Sequence, residues 1–127
     1  MVGIVVVSHS ADLASGLAEL AGQMAGPEVR IEAAGGSPAG ELGTDDGRVR
    51  DAIRRAEQGD GVVVLGDLGS AIITVRHILE RTANGHVRLA DAPLVEGAVS
   101  AAVVASAGSS LDEVVEAAEA ARGAGKL

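Results

Sequence analysis

The sequence predicts a three-layer α/β/α fold built on a four-stranded parallel sheet in the order 2-1-3-4. Short valine- and isoleucine-rich runs alternate with helical segments at the spacing of βαβ units, whose right-handed crossovers cover both faces of a parallel sheet. The runs GIVVVS and VVVL are apolar throughout, as strands buried on both faces are. The second strand segment alternates apolar and charged residues instead, which sets it at an edge and reverses the direction of travel between strands one and three.

Gly3 to Ser8 is strand one. Ser10 caps a helix through Met24, with Leu13, Leu17, Leu20, Ala21 and Met24 recurring at helical spacing on one face, and Gly26-Pro27 ends it. Val29, Ile31 and Ala33 alternate with Arg30 and Glu32, giving strand two with one face wet. From Ala34 to Gly43 glycine, serine and proline dominate without periodicity, a loop long enough to suspect a function. Thr44 reads as the next N-cap, with Asp45 and Asp46 in a first turn whose dipole favours acids. That helix reaches Glu57 or Gln58, with Val49, Ala52, Ile53 and Ala56 apolar, and Gly59-Asp60-Gly61 closes it before strand three, Val62 to Leu65. A helix from Ser70 to Thr82 follows, with Ile72, Val75, Ile78 and Leu79 inward and Asn84-Gly85 as its stop. Val87 to Ala90 is a short fourth strand. Pro93 sits near the first position of a helix reaching about Ser106. Ser110 and Glu113 then form a capping box for a last helix that buries Leu111, Val114, Val115 and Ala118, and GAGKL is a frayed tail.

Composition narrows the function. A chain of 127 residues suffices for one domain, residues 1–127, that buries roughly two-thirds of its unfolded surface. It holds no Cys, which excludes thiolate metal sites, thiol catalysis and disulfides, and makes a reducing cytoplasm the expected location. With no Phe, Tyr or Trp there are no base-stacking platforms and no aromatic cation cages. A formal charge of −8 argues against nucleic-acid partners. MVGIVVVSHSAD lacks the basic start of a signal peptide, and Ala92 to Gly108, interrupted by Glu96, is too short for a membrane span. No GxGxxG follows strand one and no Lys occupies a Walker position, so neither ATP nor NAD is expected, and no cofactor.

At the switch point, where ligands gather outside the carboxyl ends of strands, Ser8-His9-Ser10 meets the loop from Gly66 to Ser70. His9 is the imidazole placed there, able to act as base, metal ligand or nucleophile. A zinc site would want clustered ligands, and His77 and His86 fall on a different helix and at its far end, so no metal is expected. For a nucleophile the surroundings are better. The N-terminus of helix one, with Ser8, Ser10, Thr44, Gly69 and Ser70, supplies hydrogen-bond donors that suit a phosphoryl group. Asp67 is placed to accept the protonated nitrogen of His9 and leave the other free to attack, and phosphoryl transfer needs little beyond positioning and charge stabilisation. Plain structural roles fit the same residues: His9 and Ser70 as helix caps, Asp67 bonding loop amides, His77 partly packed on a helix flank, His86 facing solvent, and Arg48, Arg50, Arg54 and Arg55 as a solvated face.

The segments VVVSHSADLASGLAELAGQM, GTDDG, VVVLGDLGSA and DAPLVEGA together resemble, over the whole chain, the DhaM family: the enzyme IIA domain of the phosphotransferase-dependent dihydroxyacetone kinase. Mannose-type enzyme IIA domains share the fold and the histidine, but typically carry two glycines in the loop that here reads DLGSA, and lack APLVEG. The resemblance implies that His9 receives a phosphoryl group from HPr and passes it to ADP held on the DhaL subunit, the ATP so formed phosphorylating dihydroxyacetone on DhaK. It places Asp67 beside the histidine and implies a homodimer with a four-stranded parallel sheet and no membrane partner. Because the chain stops at Leu127, the donor is expected to be a separate protein. Pro93, Leu94, Glu96 and Gly97, with Thr44 and Ser70, are candidates for the rim that partner proteins meet, although a helix start at Pro93 and burial of Leu94 explain that turn equally. Two other readings stay open: a mannose-family sugar-uptake component, and a flavodoxin-like sensing domain whose histidine never carries phosphate.

Overall fold

β-Branched side chains without alternation make the centre of the sheet. In the computed structural model, which describes residues 1–81 and 85–127, β1 (Gly3–Ser8) and β3 (Val62–Gly66) are buried at every position. They pair in parallel, with β2 (Ile31–Gly35) outside β1 and β4 (Val87–Leu89) outside β3, in the order β2-β1-β3-β4. The helices are α1 (Ala11–Ala25), α2 (Asp46–Ala56), α3 (Gly69–Arg81), α4 (Leu94–Ser106) and α5 (Leu111–Ala120), followed by a 3₁₀ turn at Ala121–Gly123. Alternate strand residues face opposite ways, so each core belongs to one face. Ile4, Val6, Val63 and Leu65 pack against α1, α4 and α5, while Val5, Val7, Val62 and Val64 pack against α2 and α3. Both cores are built mainly of valine and alanine, and close packing of such small side chains requires the helices to lie near the sheet. At Gly35 an added Cβ would stand 2.6 Å from the Ser10 carbonyl oxygen, a clash that only glycine avoids, and this contact seats β2 against the start of α1.

Several expectations are corrected. Leu13, Leu20 and Met24 are 45%, 42% and 57% exposed, and the buried stripe of α1 is Ala14, Leu17 and Ala21. Apolar residues surround this helix, and the small ones, about 100° around from the long ones, fit between sheet and α4. β2 begins at Ile31, not Val29, and is half-buried at the sheet edge: Ile31 and Ala33 pack toward α1, Ala34 lies in the opposite core, and the partly exposed Glu32 accepts a hydrogen bond from Arg55 of α2 at 2.7 Å. The cap of α2 is Asp45, whose carboxylate accepts the Arg48 N–H at 2.9 Å, because Thr44 is held in a parallel bridge to Gly36. α3 begins at Gly69, so Ser70 stands inside its first turn rather than at its cap. Thr82 and the stop at Asn84 lie outside the described residues. The capping box of α5 forms as expected, Ser110 and Glu113 bonding each other's backbone N–H at 3.2 and 3.0 Å. In the tail, Lys126 pairs with Glu96 at 2.8 Å.

Candidate functional site

β1 and β3 are neighbours in register, Val7 opposite Gly66, so the turns that follow them open side by side. The Asp67 N–H donates to the Val7 carbonyl at 3.1 Å, which carries the pairing one step past the sheet and brings the Asp67 side chain under His9. Its carboxylate then collects four donors. Oδ2 accepts the Ser8 hydroxyl at 2.8 Å and the His9 backbone N–H at 3.0 Å; Oδ1 accepts His9 Nδ1 at 2.9 Å and the Leu68 N–H at 2.7 Å. Burial by itself raises the Asp67 pKa, but the His9 amide, then the Ser8 hydroxyl, the His9 ring and the Leu68 amide outweigh it and hold the carboxyl below its ordinary value. Asp67 is therefore a carboxylate at neutral pH, an acceptor only, and the proton of the neutral His9 ring belongs on Nδ1. Nε2 keeps its lone pair, on the outer side of the ring, where it meets the Ser70 hydroxyl. The His9 side chain is 25% exposed and that of Asp67 13%, so the ring is held from below and its Nε2 faces outward. Among the described residues no three His, Cys, Asp or Glu side chains gather to hold a metal ion, and no helix is long and apolar enough to cross a membrane.

The other candidate residues divide. Ser8 is fully buried; its hydroxyl donates to Asp67 and accepts the Ser10 N–H at 3.0 Å, so it positions the carboxylate and has no hydrogen left for a phosphate. Ser10 caps α1, accepting the Leu13 N–H at 3.2 Å, and also serves the local turn. Gly69 and Ser70 open α3; the Ala71 and Ile72 amides that follow donate to the Leu68 carbonyl at 3.1 and 3.2 Å, and Ser70 alone of the serines puts its hydroxyl on Nε2. Thr44 is brought near by the adjacent Gly43, whose N–H donates to the His9 carbonyl at 2.9 Å, but its Oγ1 is buried without a hydrogen-bond partner.

The segment 93–97 behaves differently. Pro93 caps α4 without a side-chain bond, Leu94 packs on the α1 and α4 core, and Glu96 pairs with Lys126. Gly97 is buried, and a Cβ there would stand 2.9 Å from Leu65 Cδ2 and 3.0 Å from Ala92 Cβ, so it lets α4 lie on the sheet and presents nothing to a rim. Sequence reasoning missed the groove of about 870 Å³ that runs from Asp67 and Leu68 past Ile72 and Arg76 to Leu89 and Ala92. Its lining comes from the outward side of α3 and the end of β4, which carries no sequence signal of its own.

Known proteins fit this geometry. A sequence profile of the EIIA-man family, described as the fructose IIA component of the phosphotransferase system, matches residues 3–118, which include both His9 and Asp67. The chain belongs to that family. Among curated enzyme IIA-type relatives, the phosphoryl donor subunit DhaM of the phosphoenolpyruvate-dependent dihydroxyacetone kinase of Klebsiella michiganensis is 42% identical over 122 residues. That alignment covers 91% of this chain but 26% of the relative, so the chain spans about a quarter of that protein's length. A Listeria innocua DhaM is 34% identical, covering 91% of this chain and 95% of its own, and a Lactococcus lactis DhaM is 37% identical, covering 90% of each. These relatives place the chain within the DhaM branch of the EIIA-man domains. A solved structure of a protein of unknown function superposes with a TM-score of 0.80 at 34% identity, covering 93% of this chain and 92% of that one. Enzyme IIA of Streptococcus agalactiae superposes with a TM-score of 0.72 at 16% identity, covering 99% and 97%, a likeness of fold alone.

Proposed function

We propose that this chain is the phosphohistidine-bearing enzyme IIA domain of a dihydroxyacetone kinase relay, taking a phosphoryl group from HPr on His9 and giving it to ADP bound on a DhaL-type subunit. The orientation of His9 carries the proposal: Nδ1 is tied to Asp67 and Nε2 faces outward beside Ser70. In the loading step the Nε2 lone pair attacks the phosphorus of phospho-HPr, the Nε2–P bond forms as the bond to the HPr histidine breaks, and the proton stays on Nδ1. The ring then carries positive charge, which the Asp67 carboxylate stabilises. Phosphoryl oxygens meet the Ser70 hydroxyl and the Gly69 and Ser70 amides that open α3, a helix terminus that favours anions. In the discharge step an oxygen of the ADP β-phosphate attacks phosphorus, the Nε2–P bond breaks, and the neutral ring returns with its proton where it began. Asp67 is a positioning residue throughout.

The same reading places the chain in the cytoplasm as a homodimer. Leu13, Leu20 and Met24 form one exposed apolar stripe on α1, with exposed Val95 and Val103 on the neighbouring α4, and burying them against a second copy would remove that surface from water. The function is tested by incubation with phosphoenolpyruvate, enzyme I and HPr, followed by intact-mass analysis. One acid-labile phosphoryl group is expected on wild type and none on His9→Ala; label on both moves the site elsewhere. Adding DhaL with ADP, or a sugar-transporter IIB protein, to the phosphorylated chain separates this relay from sugar uptake. Discharge by the IIB protein alone would reject the kinase relay.

A further inference from the structure

The hydroxyls on the turns around His9 are not equally free to move. Ser8 is fully buried and donates to Asp67 at 2.8 Å, Ser10 is oriented by the Leu13 N–H that it caps at 3.2 Å, and Thr44 Oγ1 is enclosed. Ser70 is exposed, and its hydroxyl touches Nε2. Because Nδ1 holds the ring proton against Asp67, Nε2 offers only a lone pair, and the Ser70 O–H is the donor between them.

The backbone under this hydroxyl is fixed. The Thr74 hydroxyl donates to the Ser70 carbonyl at 3.0 Å, and the Ala71 and Ile72 amides both close on the Leu68 carbonyl, at 3.1 and 3.2 Å. One torsion remains, χ1 of Ser70. Within a helix the preceding turn blocks one of the three staggered rotamers, but α3 starts at Gly69 and no helical turn precedes Ser70. Its hydroxyl can swing while the chain beneath it stays still.

Loading takes away the acceptor. As the Nε2 lone pair forms its bond to phosphorus and the bond to the HPr histidine breaks, Nε2 has nothing left to offer the Ser70 hydrogen, while negatively charged phosphoryl oxygens arrive beside it. The proton stays on Oγ throughout. A hydrogen bond to a charged acceptor is about twice as strong as a neutral one, so the change of partner favours the loaded ring.

From these observations we infer that Ser70 is a switching donor: its hydroxyl bonds Nε2 while the ring is empty and a phosphoryl oxygen once the ring is loaded, and this exchange tunes how firmly His9 holds the phosphoryl group against HPr. The inference rests on the phosphocarrier reading and adds to it a residue that sets the transfer equilibrium.

The test brings phospho-HPr to equilibrium with wild type, Ser70→Ala or Ser70→Thr, reads the loaded share of each chain by intact mass, and records ¹⁵N imidazole spectra of the empty chains. Ser70→Ala should lower the equilibrium ratio of loaded to empty chain about fivefold, the difference between a charge-assisted and a neutral hydrogen bond, at unchanged Tm. In the empty Ser70→Ala chain the Nε2 resonance of His9 should move downfield, as a ring nitrogen that has lost a donor does, while the protonated Nδ1 stays in place. Ser70→Thr keeps a hydroxyl and should bring both readings back toward wild type. A serine that serves only the start of α3 predicts the reverse, a lower Tm with the ratio and the Nε2 resonance unmoved. A Ser70→Ala ratio within twofold of wild type or above it, or an unmoved Nε2 resonance, overturns the switch and leaves His9 chemistry standing. A wild type that takes no label from phospho-HPr overturns the phosphocarrier reading and the switch with it.

Discussion

Two connections leave the carboxyl edge of the sheet with similar promise in sequence, and the structure uses them in opposite ways. In the corner formed by residues 8–10 and 67–70, polar groups bond one another across a gap of 58 residues, with Asp67 accepting from four donors. In the segment 93–97 the side chains mainly pack: Leu94 lies on the core and Gly97 makes room for Leu65 and Ala92. Both are constrained, one by hydrogen-bond satisfaction and the other by volume. A residue's constraint alone therefore does not set the two apart; what does is a ring nitrogen left facing out, with its lone pair, after the groups beneath it have been bonded.

Substitutions that break one connection should spare the other's property. The largest effect belongs to Asp67→Asn, which removes the charge that holds the proton on Nδ1. His9 loading by phospho-HPr should fall at least about a hundredfold while the fold persists, read by rapid-quench labelling alongside circular dichroism. Ser8→Ala comes next. It leaves Asp67 one donor short and the Ser10 N–H without its acceptor, so loading should drop about tenfold and stability by about 1–3 kcal/mol in denaturant unfolding. Gly97→Val inverts the pattern: overpacking against Leu65 should cost about 1–3 kcal/mol, with the loading rate per folded molecule unchanged. A changed rate in a variant whose stability is intact would return that segment to the transfer site.

Acid sharpens the contrast by a smaller amount. The Asp67 carboxyl titrates below its unfolded value of 3.8 in the folded chain, so its stabilising contribution is complete above that pH and is lost as pH falls through the folded value. Wild type should accordingly lose its stability advantage over Asp67→Asn only below about pH 3.8, and urea midpoints for both proteins across pH 2–6 would measure it.

Much of this layout is legible in the sequence. The unbroken valines of β1 and β3 and the alternation of β2 set the strand order, which places His9 and Asp67 at the same edge. The Ser110 and Glu113 box was legible because a cap and its reciprocal acid are local. What escaped depended on distant contacts. Thr44, Asp45 and Asp46 can each cap a helix, and the choice of Asp45 follows from the bridge that binds Thr44 to Gly36. On α1 the periodicity identified a helix but only part of its inner side: Leu17 and Ala21 face in as expected, while Ala14, rather than Leu13 or Leu20, completes the stripe between sheet and α4. Gly97 reads in sequence as a rim candidate, and its packing role stays hidden there because its contacts are with Leu65 and Ala92, outside α4.

The proposed transfer depends on which ring nitrogen of His9 is free. Nitrogen-resolved NMR of the chain after labelling by phosphoenolpyruvate, enzyme I and HPr, with ¹⁵N in the imidazole, reads this directly. Coupling of phosphorus to Nε2 of His9, with Nδ1 still protonated, is the predicted result; phosphorus on Nδ1, or on any other residue, would contradict it.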